Sequence, residues 1–157
     1  MKPEKIKLKK FDDERGYLLE LLPKKFKNLF KYSIITSSKK NVIRGLHYDK
    51  WLNEKKLIYI LKGEILDVTV DVKKNKKIYY NKLKKGDALF IPSEFAHGYK
   101  CLAKENVLLY FLSKNYNPKN QNGIFWEDKK LMIKWNIKNP IISTKDKMLP
   151  NLRWKKF

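Results

Sequence analysis

Hydrophobic and polar residues alternate along short segments of this chain, with the period of β-strands. The alternation is clearest over residues 64–72 and places two sets of side chains on opposite faces. One set is Leu66, Val68, Val70 and Val72, and the other is Ile65, Asp67, Thr69 and Asp71. Further strands, separated by turn residues, are predicted at 16–22, 31–36, 42–48, 56–62, 77–83, 87–91, 97–103 and 106–112. About nine or ten strands in one chain indicate an all-β fold, specifically a jelly roll.

The remaining sequence shows no helical periodicity, internal repeat or low-complexity linker. From about Ile137 onward, two prolines and many charges predict a short C-terminal segment that is either helical or irregular. A length of 157 residues suits one domain with a substantial core. We therefore expect a single jelly-roll domain over residues 1–157.

Composition raises one question, which concerns a nucleic-acid partner. The chain carries 37 Lys and Arg against 16 Asp and Glu, for a formal net charge of +21, and such an excess can bind phosphate backbones. Only three of the basic residues are Arg, and the 34 Lys are dispersed along the whole chain. Dispersed Lys is typical of a solvated surface, so we expect no nucleic-acid partner. The positive field would still attract an anionic small molecule.

Two further features bear on location. No apolar run approaches the roughly 18 residues that span a bilayer, and the first residues begin no hydrophobic signal segment. The single cysteine, Cys101, cannot form an internal disulfide or a thiolate metal cluster. We expect a cytoplasmic protein that does not contact the membrane.

Candidate chemistry centres on two histidines, His47 and His97, which lie in the patterns 42–48 and 90–99. A lone histidine on a strand is more often a hydrogen-bonded packing residue than a base. Two histidines could instead hold a metal, but metal sites usually add a carboxylate or a His-x-His pair. Neither histidine has a partner two residues away. We therefore expect no metal site.

A series of short motifs lies in order along most of the chain. The motifs are Phe11-Asp-Asp-Glu-Arg-Gly-Tyr17, Arg44-Gly-Leu-His-Tyr48, Lys56-Leu-Ile, Gly63, Asp67-Val-Thr-Val-Asp71, Ile91-Pro92, Phe95-Ala-His-Gly-Tyr99, Tyr110 with Tyr116, Trp126-Glu-Asp128 and Ser143-Thr-Lys-Asp146. Together they resemble the dTDP-4-dehydrorhamnose 3,5-epimerase family. Their order over most of the chain is far more specific than any single motif. The resemblance implies a cupin-type jelly roll (double-stranded β-helix), a homodimer, no metal or other cofactor, and a nucleotide-linked 4-keto-6-deoxyhexose as substrate.

The chemistry of such a substrate defines the groups that an epimerase needs. C3 and C5 of a 4-keto sugar flank the carbonyl, so loss of either proton gives an enolate, and reprotonation from the opposite face inverts the centre. The reaction requires a base, an acid across the ring and a donor to the enolate oxygen. By resemblance, His47 is the base, Tyr110 the acid and Lys56 the donor. Asp146 matches the aspartate that orients the histidine.

The resemblance also assigns substrate-binding residues. His97 and Lys145 match positions that contact the substrate. Arg44 is expected to bind the diphosphate or the sugar, and the alternative is a buried salt bridge that supports its strand. Tyr116 is expected to stack on the nucleotide base, and the alternative is ordinary packing at the rim.

Arg15 and Glu20 match two residues that, in the family, reach the nucleotide bound to the neighbouring subunit. The N-terminal strand of one subunit is therefore expected to contribute to its partner's site. Without a dimer, both residues would be plain surface charges.

Departures from the family pattern affect the substrate more than the chemistry. Tyr32-Ser-Ile34 stands where members usually have Gln-x-Asn, Asp49 stands where a Gln commonly follows His-Tyr, and Gln121 stands where a glutamate is expected. The loop over residues 49–55 is also about one residue short. Thymidine is therefore the default carrier, while a GDP- or CDP-linked sugar and inversion of one carbon or both stay open.

Two other functions fit parts of the same pattern. A nucleotide-sugar 3,4-ketoisomerase shares the fold and the type of substrate, but usually has a different arrangement of histidines. A non-catalytic cupin could bind a sugar nucleotide without any base and acid opposed across the ligand.

Overall fold

Almost all of the regular structure is β. In the computed structural model, which describes residues 1–74 and 77–152, there are twelve strands and one short α-helix. The strands are β1 (Glu4–Ile6), β2 (Lys9–Asp13), β3 (Gly16–Glu20), β4 (Tyr32–Lys39), β5 (Ile43–Asp49), β6 (Lys56–Lys62), β7 (Glu64–Asp71), β8 (Ile78–Lys84), β9 (Ala88–Ile91), β10 (Phe95–Cys101), β11 (Glu105–Leu112) and β12 (Gln121–Gly123). The helix α1 is Thr144–Lys147, and 3-10 turns lie at Lys24–Phe26 and Pro118–Asn120.

Ten of these strands form two five-stranded sheets. The first sheet has the order β1-β9-β6-β11-β4 and the second has the order β12-β5-β10-β7-β8, while β2 and β3 form a separate hairpin. Neighbouring strands in both sheets are antiparallel. Together with the structural comparison reported below, this arrangement confirms the predicted all-β jelly roll.

The main core lies between the two sheets. It is built largely from Ile and Leu side chains that alternate along the strands, such as Ile58, Ile60 and Leu108, each with 0% of its surface exposed. Burial of one such side chain contributes about 1.5–3 kcal/mol relative to exposure. One end of the same interior is lined by polar side chains, which leaves room there for a site.

Strand β7 shows why the second sheet can hold polar groups inside. Its outward side chains, including Val68 and Val70, pack under a C-terminal segment that contributes Leu131 and Trp135. Its inward set begins with Ile65 in the main core and continues with the fully buried Asp67. Because the apolar set is covered by the C-terminal segment, the polar set of the alternating pattern is the one that faces the interior.

The nine segments predicted as strands all correspond to observed strands, with ends that differ by at most three residues. The C-terminal segment, predicted as helical or irregular, contains one short helix, α1, in an otherwise irregular stretch. Strands β1, β2 and β12 were not predicted. They are three to five residues long and largely exposed, so they carry little hydrophobic alternation. In the described parts of the chain, no helix has the length and apolar character needed to cross a membrane.

Candidate active site

Two adjacent strands of the second sheet bring the histidines together. His47 on β5 and His97 on β10 are partners in the antiparallel register. A Cβ on Gly45 would lie 2.5 Å from the His97 carbonyl oxygen, and a Cβ on Gly98 would lie 2.8 Å from the Arg44 carbonyl oxygen. Gly45 also has φ of +103°, which disfavours other residues. Glycine at both positions is therefore what allows the two strands to approach here.

His47 is paired with Asp146 of helix α1. His47 Nε2 lies 2.8 Å from Asp146 Oδ1, and the Gly45 N–H donates to Asp146 Oδ2 at 3.1 Å. Burial acts to raise the pKa of Asp146, but its hydrogen bond to His47, the imidazole charge and the Gly45 N–H lower that pKa below its usual value. An ionised Asp146 can only accept a hydrogen bond, so His47 donates its Nε2–H to it. The lone pair of a neutral His47 is then on Nδ1.

His97 is paired with a second carboxylate, Asp67 on the neighbouring strand β7. His97 Nε2 lies 2.6 Å from Asp67 Oδ2, and both side chains are almost completely buried. Within the described residues, Asp67 Oδ1 has no hydrogen-bond partner. Sequence analysis placed Asp67 on a strand and within a motif but gave it no role. The signal that could have singled it out was a carboxylate on the same strand face as Ile65.

Tyr110 reaches the same interior from β11 of the opposite sheet. Its ring centroid lies 6.1 Å from that of His97, and 8% of the residue is exposed. Burial, with added effects from Tyr99 and Asp67, raises the pKa of Tyr110 well above its usual value of 10.0. The phenol is therefore protonated at neutral pH and is available as a proton donor.

Lys56 begins β6 and points into the same space. Its Nζ donates to the His47 carbonyl oxygen at 3.5 Å and lies 3.5 Å from Glu54 Oε1. Burial lowers the pKa of Lys56 from its usual 10.5, while Glu54 and, to a smaller extent, Asp49 act to raise it. Glu54 is a site residue that sequence analysis missed, because Glu-Lys-Lys looks like ordinary surface sequence.

These side chains surround two adjoining cavities. The inner cavity, of about 150 Å³, is lined by His97, Tyr99 and Tyr110, and the outer cavity, of about 400 Å³, is lined by Trp51 and Lys114. Residues that line both cavities are His47, Glu54, Lys56, Tyr116 and Gln121. A ligand with one small reacting group and one larger group would fit this two-part shape.

Besides His97, three of the predicted binding residues lie at or beside these cavities. Arg44 is exposed and lines the inner cavity, and its guanidinium donates to Ser38 Oγ at 2.9 Å and to the Ser37 carbonyl oxygen at 3.3 Å. The alternative of a buried salt bridge is therefore wrong. Tyr116 lines both cavities with 44% of its surface exposed. Lys145 donates to Gln121 Oε1 at 2.9 Å, at the edge of the site.

Arg15 and Glu20 are on the β2–β3 hairpin and line neither cavity. Both residues are exposed, and Arg15 Nη2 lies 2.6 Å from Asp13 Oδ2. The structure does not bring them to the site of their own chain. Their predicted contact with a neighbouring subunit stays a prediction.

The positions of the candidate ligands bear on whether the site could hold a metal ion. Over residues 1–74 and 77–152, no three His, Cys, Asp or Glu side chains come together in a way suited to a metal ion. The carboxylates near the histidines form two separate pairs, each with one imidazole.

A jelly roll with two histidine–carboxylate pairs, a buried tyrosine and a buried lysine around one cavity has the groups needed for proton transfer at carbon. The family model for dTDP-4-dehydrorhamnose 3,5-epimerase matches residues 4–153. The enzyme of that name from Shigella flexneri is 33% identical over 152 residues, which cover 88% of this chain and 84% of the relative.

Solved structures agree with the sequence relatives. The dTDP-4-dehydrorhamnose 3,5-epimerase from Bacillus anthracis, with TDP and PPi bound, has a TM-score of 0.88 and 31% identity and covers 96% of this chain and 94% of its own. An epimerase from Legionella pneumophila in complex with dTDP-4-keto-L-rhamnose has a TM-score of 0.85 and 29% identity, with coverages of 96% and 87%. The chain belongs to the dTDP-4-dehydrorhamnose 3,5-epimerase family and is a sugar epimerase, an isomerase. The resemblance seen in the motifs is confirmed.

Proposed function

We propose that this enzyme inverts C3, C5 or both in a dTDP-linked 4-keto-6-deoxyhexose through an enolate. The observation that carries the proposal is the position of His47 and Tyr110, which face one inner cavity from opposite sheets. Inversion requires a base and an acid on opposite faces of the sugar ring. A substrate held between the two sheets would meet one group on each face.

His47 would act first, as the base. Its Nδ1 takes a proton from C3 or C5, and the electron pair of the broken C–H bond moves into the enolate. The ionised Asp146 stabilises the imidazolium that forms, as a carboxylate does for a catalytic histidine. Lys56 would donate to the enolate oxygen, which gains negative charge as the proton leaves. His97, held by Asp67, would contact the substrate beside it.

Tyr110 would complete the inversion from the other face. Its phenol gives a proton to the same carbon, and the electrons of the enolate form the new C–H bond. The enzyme then holds an imidazolium and a phenolate, and proton exchange with water restores both groups. A pKa well above its usual value keeps Tyr110 protonated until the enolate accepts the proton.

The outer cavity is the proposed site of the nucleotide. Tyr116 would stack on the base, while Arg44 and Lys145 would neutralise the diphosphate. A thymidine carrier is supported by the TDP and dTDP-sugar ligands of the Bacillus and Legionella structures. Of the departures from the family pattern, Asp49 and Gln121 line the outer cavity, and Ile34 of residues 32–34 lines the inner one. They make the carrier the first variable to test.

We also propose a homodimer in which the N-terminal strands contribute Arg15 and Glu20 to the partner's site. Exposed large apolar side chains lie on the β2–β3 hairpin and on edge strand β4. They are Phe11, Tyr17, Leu18, Tyr32 and Ile35. Apolar side chains exposed on a hairpin and on the edge strand of a sheet favour association between subunits.

The chain is proposed to act as one domain over residues 1–157, in the cytoplasm. The packing of Leu131 and Trp135 against the second sheet joins the C-terminal segment to the main fold. The single buried cysteine suits a reducing compartment.

The decisive experiment follows the C3 and C5 protons of dTDP-4-keto-6-deoxyglucose by NMR in heavy water. Loss of both signals together with inverted products would support a 3,5-epimerase, and loss of one would define a single-centre enzyme. His47→Gln should stop the exchange, whereas Lys104→Gln, an exposed change away from both cavities, should not. No exchange with dTDP-, GDP- or CDP-linked ketosugars would contradict the proposal.

Proton and carbon NMR spectra of the same samples separate the two other functions. A 3,4-ketoisomerase would move the carbonyl carbon signal from C4 to C3. A non-catalytic cupin would bind the sugar nucleotide with no change in any carbon-bound proton.

A further inference from the structure

Among the residues that the structure describes, Glu54 is the one acidic side chain that lines both the inner and the outer cavity. It lies two residues before Lys56, and 16% of its side chain is exposed, against 11% for Lys56. A carboxylate in a site for an anionic ligand repels that ligand and loses hydration by burial. Its presence there therefore requires a compensating role, which the proton-transfer scheme does not assign.

The Lys56 ammonium shows what that role is. An ammonium has three N–H donors. One of them is directed to the His47 carbonyl oxygen, and a second faces Glu54 Oε1, each at 3.5 Å. The two acceptors hold the end of a flexible side chain beside the base, and one donor is left for an oxygen atom of the ligand.

We propose that Glu54 is a positioning residue that keeps the Lys56 ammonium charged and directed at the carbonyl oxygen of the substrate. This inference rests on the proposed function, in which Lys56 donates to the enolate oxygen. It adds Glu54 as the residue that holds Lys56 in place.

The electrostatics of the site give the reason. Burial alone favours a neutral amine at position 56, and the nearby Glu54 is the largest influence that opposes it, followed by Asp49. A neutral amine would stabilise an enolate poorly and could compete with His47 for the proton. Other charged or titratable groups lining these cavities are Arg44, His47, Tyr48, His97, Tyr99, Tyr110, Lys114 and Tyr116. Of these, Arg44 and Lys114 are cations, and like charges oppose rather than favour a charged amine.

Glu54→Gln tests the proposal because it keeps the shape and the acceptor oxygen but removes the charge. The pH profile of kcat is measured for the proton exchange in heavy water. The alkaline limb should move to lower pH by about one unit or more, with KM changed less than kcat. Asp49→Asn is the matched control and should move that limb less, since Asp49 contributes less to the charge on Lys56.

A double variant separates an effect through Lys56 from a general loss of structure. In a Lys56→Met background, Glu54→Gln should cause no further shift of the alkaline limb. An equal shift in both backgrounds would overturn the proposal. Glu54→Ala, which also removes the charge, provides a second variant if Glu54→Gln does not fold.

Side-chain NMR of ¹⁵N-labelled lysine gives a readout that does not depend on turnover. The Lys56 signal is assigned by its loss in Lys56→Met and titrated in the wild type and in Glu54→Gln. A Lys56 pKa that falls in Glu54→Gln supports the proposal, and an unchanged pKa overturns it. If no ketosugar were turned over, the proposed function would fail, while this titration would still decide the role of Glu54.

Discussion

The two histidine–carboxylate pairs use similar hydrogen bonds in different surroundings. His47 and Asp146 are 29% and 5% exposed, whereas His97 and Asp67 are 5% and 0% exposed. A group that takes a proton and later loses it must bear a change of charge, which is expensive where water is excluded. The partly exposed pair is therefore suited to act as the base, and the buried pair is suited to position the substrate without changing its charge.

The pairs also differ in how the carboxylates are held. Both oxygens of Asp146 are hydrogen-bonded, one to His47 and one to the Gly45 N–H. Asp67 is bonded through Oδ2, while Oδ1 is without a partner in the part of the chain that the structure describes. A buried acceptor left unpaired is costly and is frequently a feature of functional sites. The carboxylate that orients His97 therefore lowers the free energy of unfolding.

Of the substitutions that test the difference between the two pairs, Asp146→Asn should have the largest effect on activity. An Asn amide can donate to His47 Nε2, which would put the ring proton on Nδ1 and remove the lone pair needed for the base. We expect kcat for exchange at C3 and C5 to fall by about 10²–10⁴-fold. Because the pair acts as a unit, combining Asp146→Asn with His47→Gln should add little. Near wild-type exchange in Asp146→Asn would refute the assignment of His47 as the oriented base.

Tyr110→Phe should separate proton removal from inversion. The ring still fills its buried position, but no phenol is available to return a proton from the second sheet. We expect inversion to fall by about 10²-fold or more, while exchange through His47 continues. Heavy-water NMR measures both quantities in one sample. If inversion kept its full rate, Tyr110 would not be the acid.

Asp67→Asn should have a smaller effect on activity and a clear effect on stability. The change removes the carboxylate that orients His97 but keeps a side chain of the same shape. We expect kcat to fall by about 10–100-fold. The free energy of unfolding should rise by about 1–3 kcal/mol, because a buried carboxylate with an unpaired oxygen is replaced by a neutral amide. Kinetics and urea unfolding check the two expectations. An effect larger than that of Asp146→Asn on exchange would reverse the roles given to the two pairs.

The smallest expected effect concerns stability in acid. The pKa of Asp146 in the folded protein lies below its usual 3.8. Its ionised form therefore stabilises the folded state, and the full stabilisation is present when the pH is above the usual, unfolded-state pKa. This contribution is lost as the pH falls through the lower, folded-state pKa. Calorimetry from about pH 5 to pH 2 should therefore show a steeper fall of Tm in the wild type than in Asp146→Asn. Parallel curves would mean that the pair does not stabilise the fold.

Hydrophobic alternation predicted the strands of both large sheets well, because most of them bury at least one continuous face. It could not predict which face of β7 is inside, since the answer depends on Leu131 and Trp135, which lie far along the chain and cover the outer face. The short strands β1, β2 and β12 escaped prediction because pairing, rather than a buried face, defines them.

The candidate site was predictable where a motif carried it. The resemblance selected His47, Tyr110, Lys56 and Asp146. The structure places the first three around the inner cavity, and Asp146 is hydrogen-bonded to His47. Asp67 and Glu54 were not selected, because their roles depend on burial and on neighbours set by strand register. A sequence shows that a carboxylate is present, but not that it loses its water.

The contact between His47 and Asp146 joins residues that are 99 positions apart. A ribosome that adds about 5–20 residues each second makes the aspartate some 5–20 s after the histidine. All twelve strands of the described chain precede Asp146. A nascent chain could therefore pair its strands while His47 still lacked a fixed tautomer, so that catalytic competence would be the last property to appear during translation.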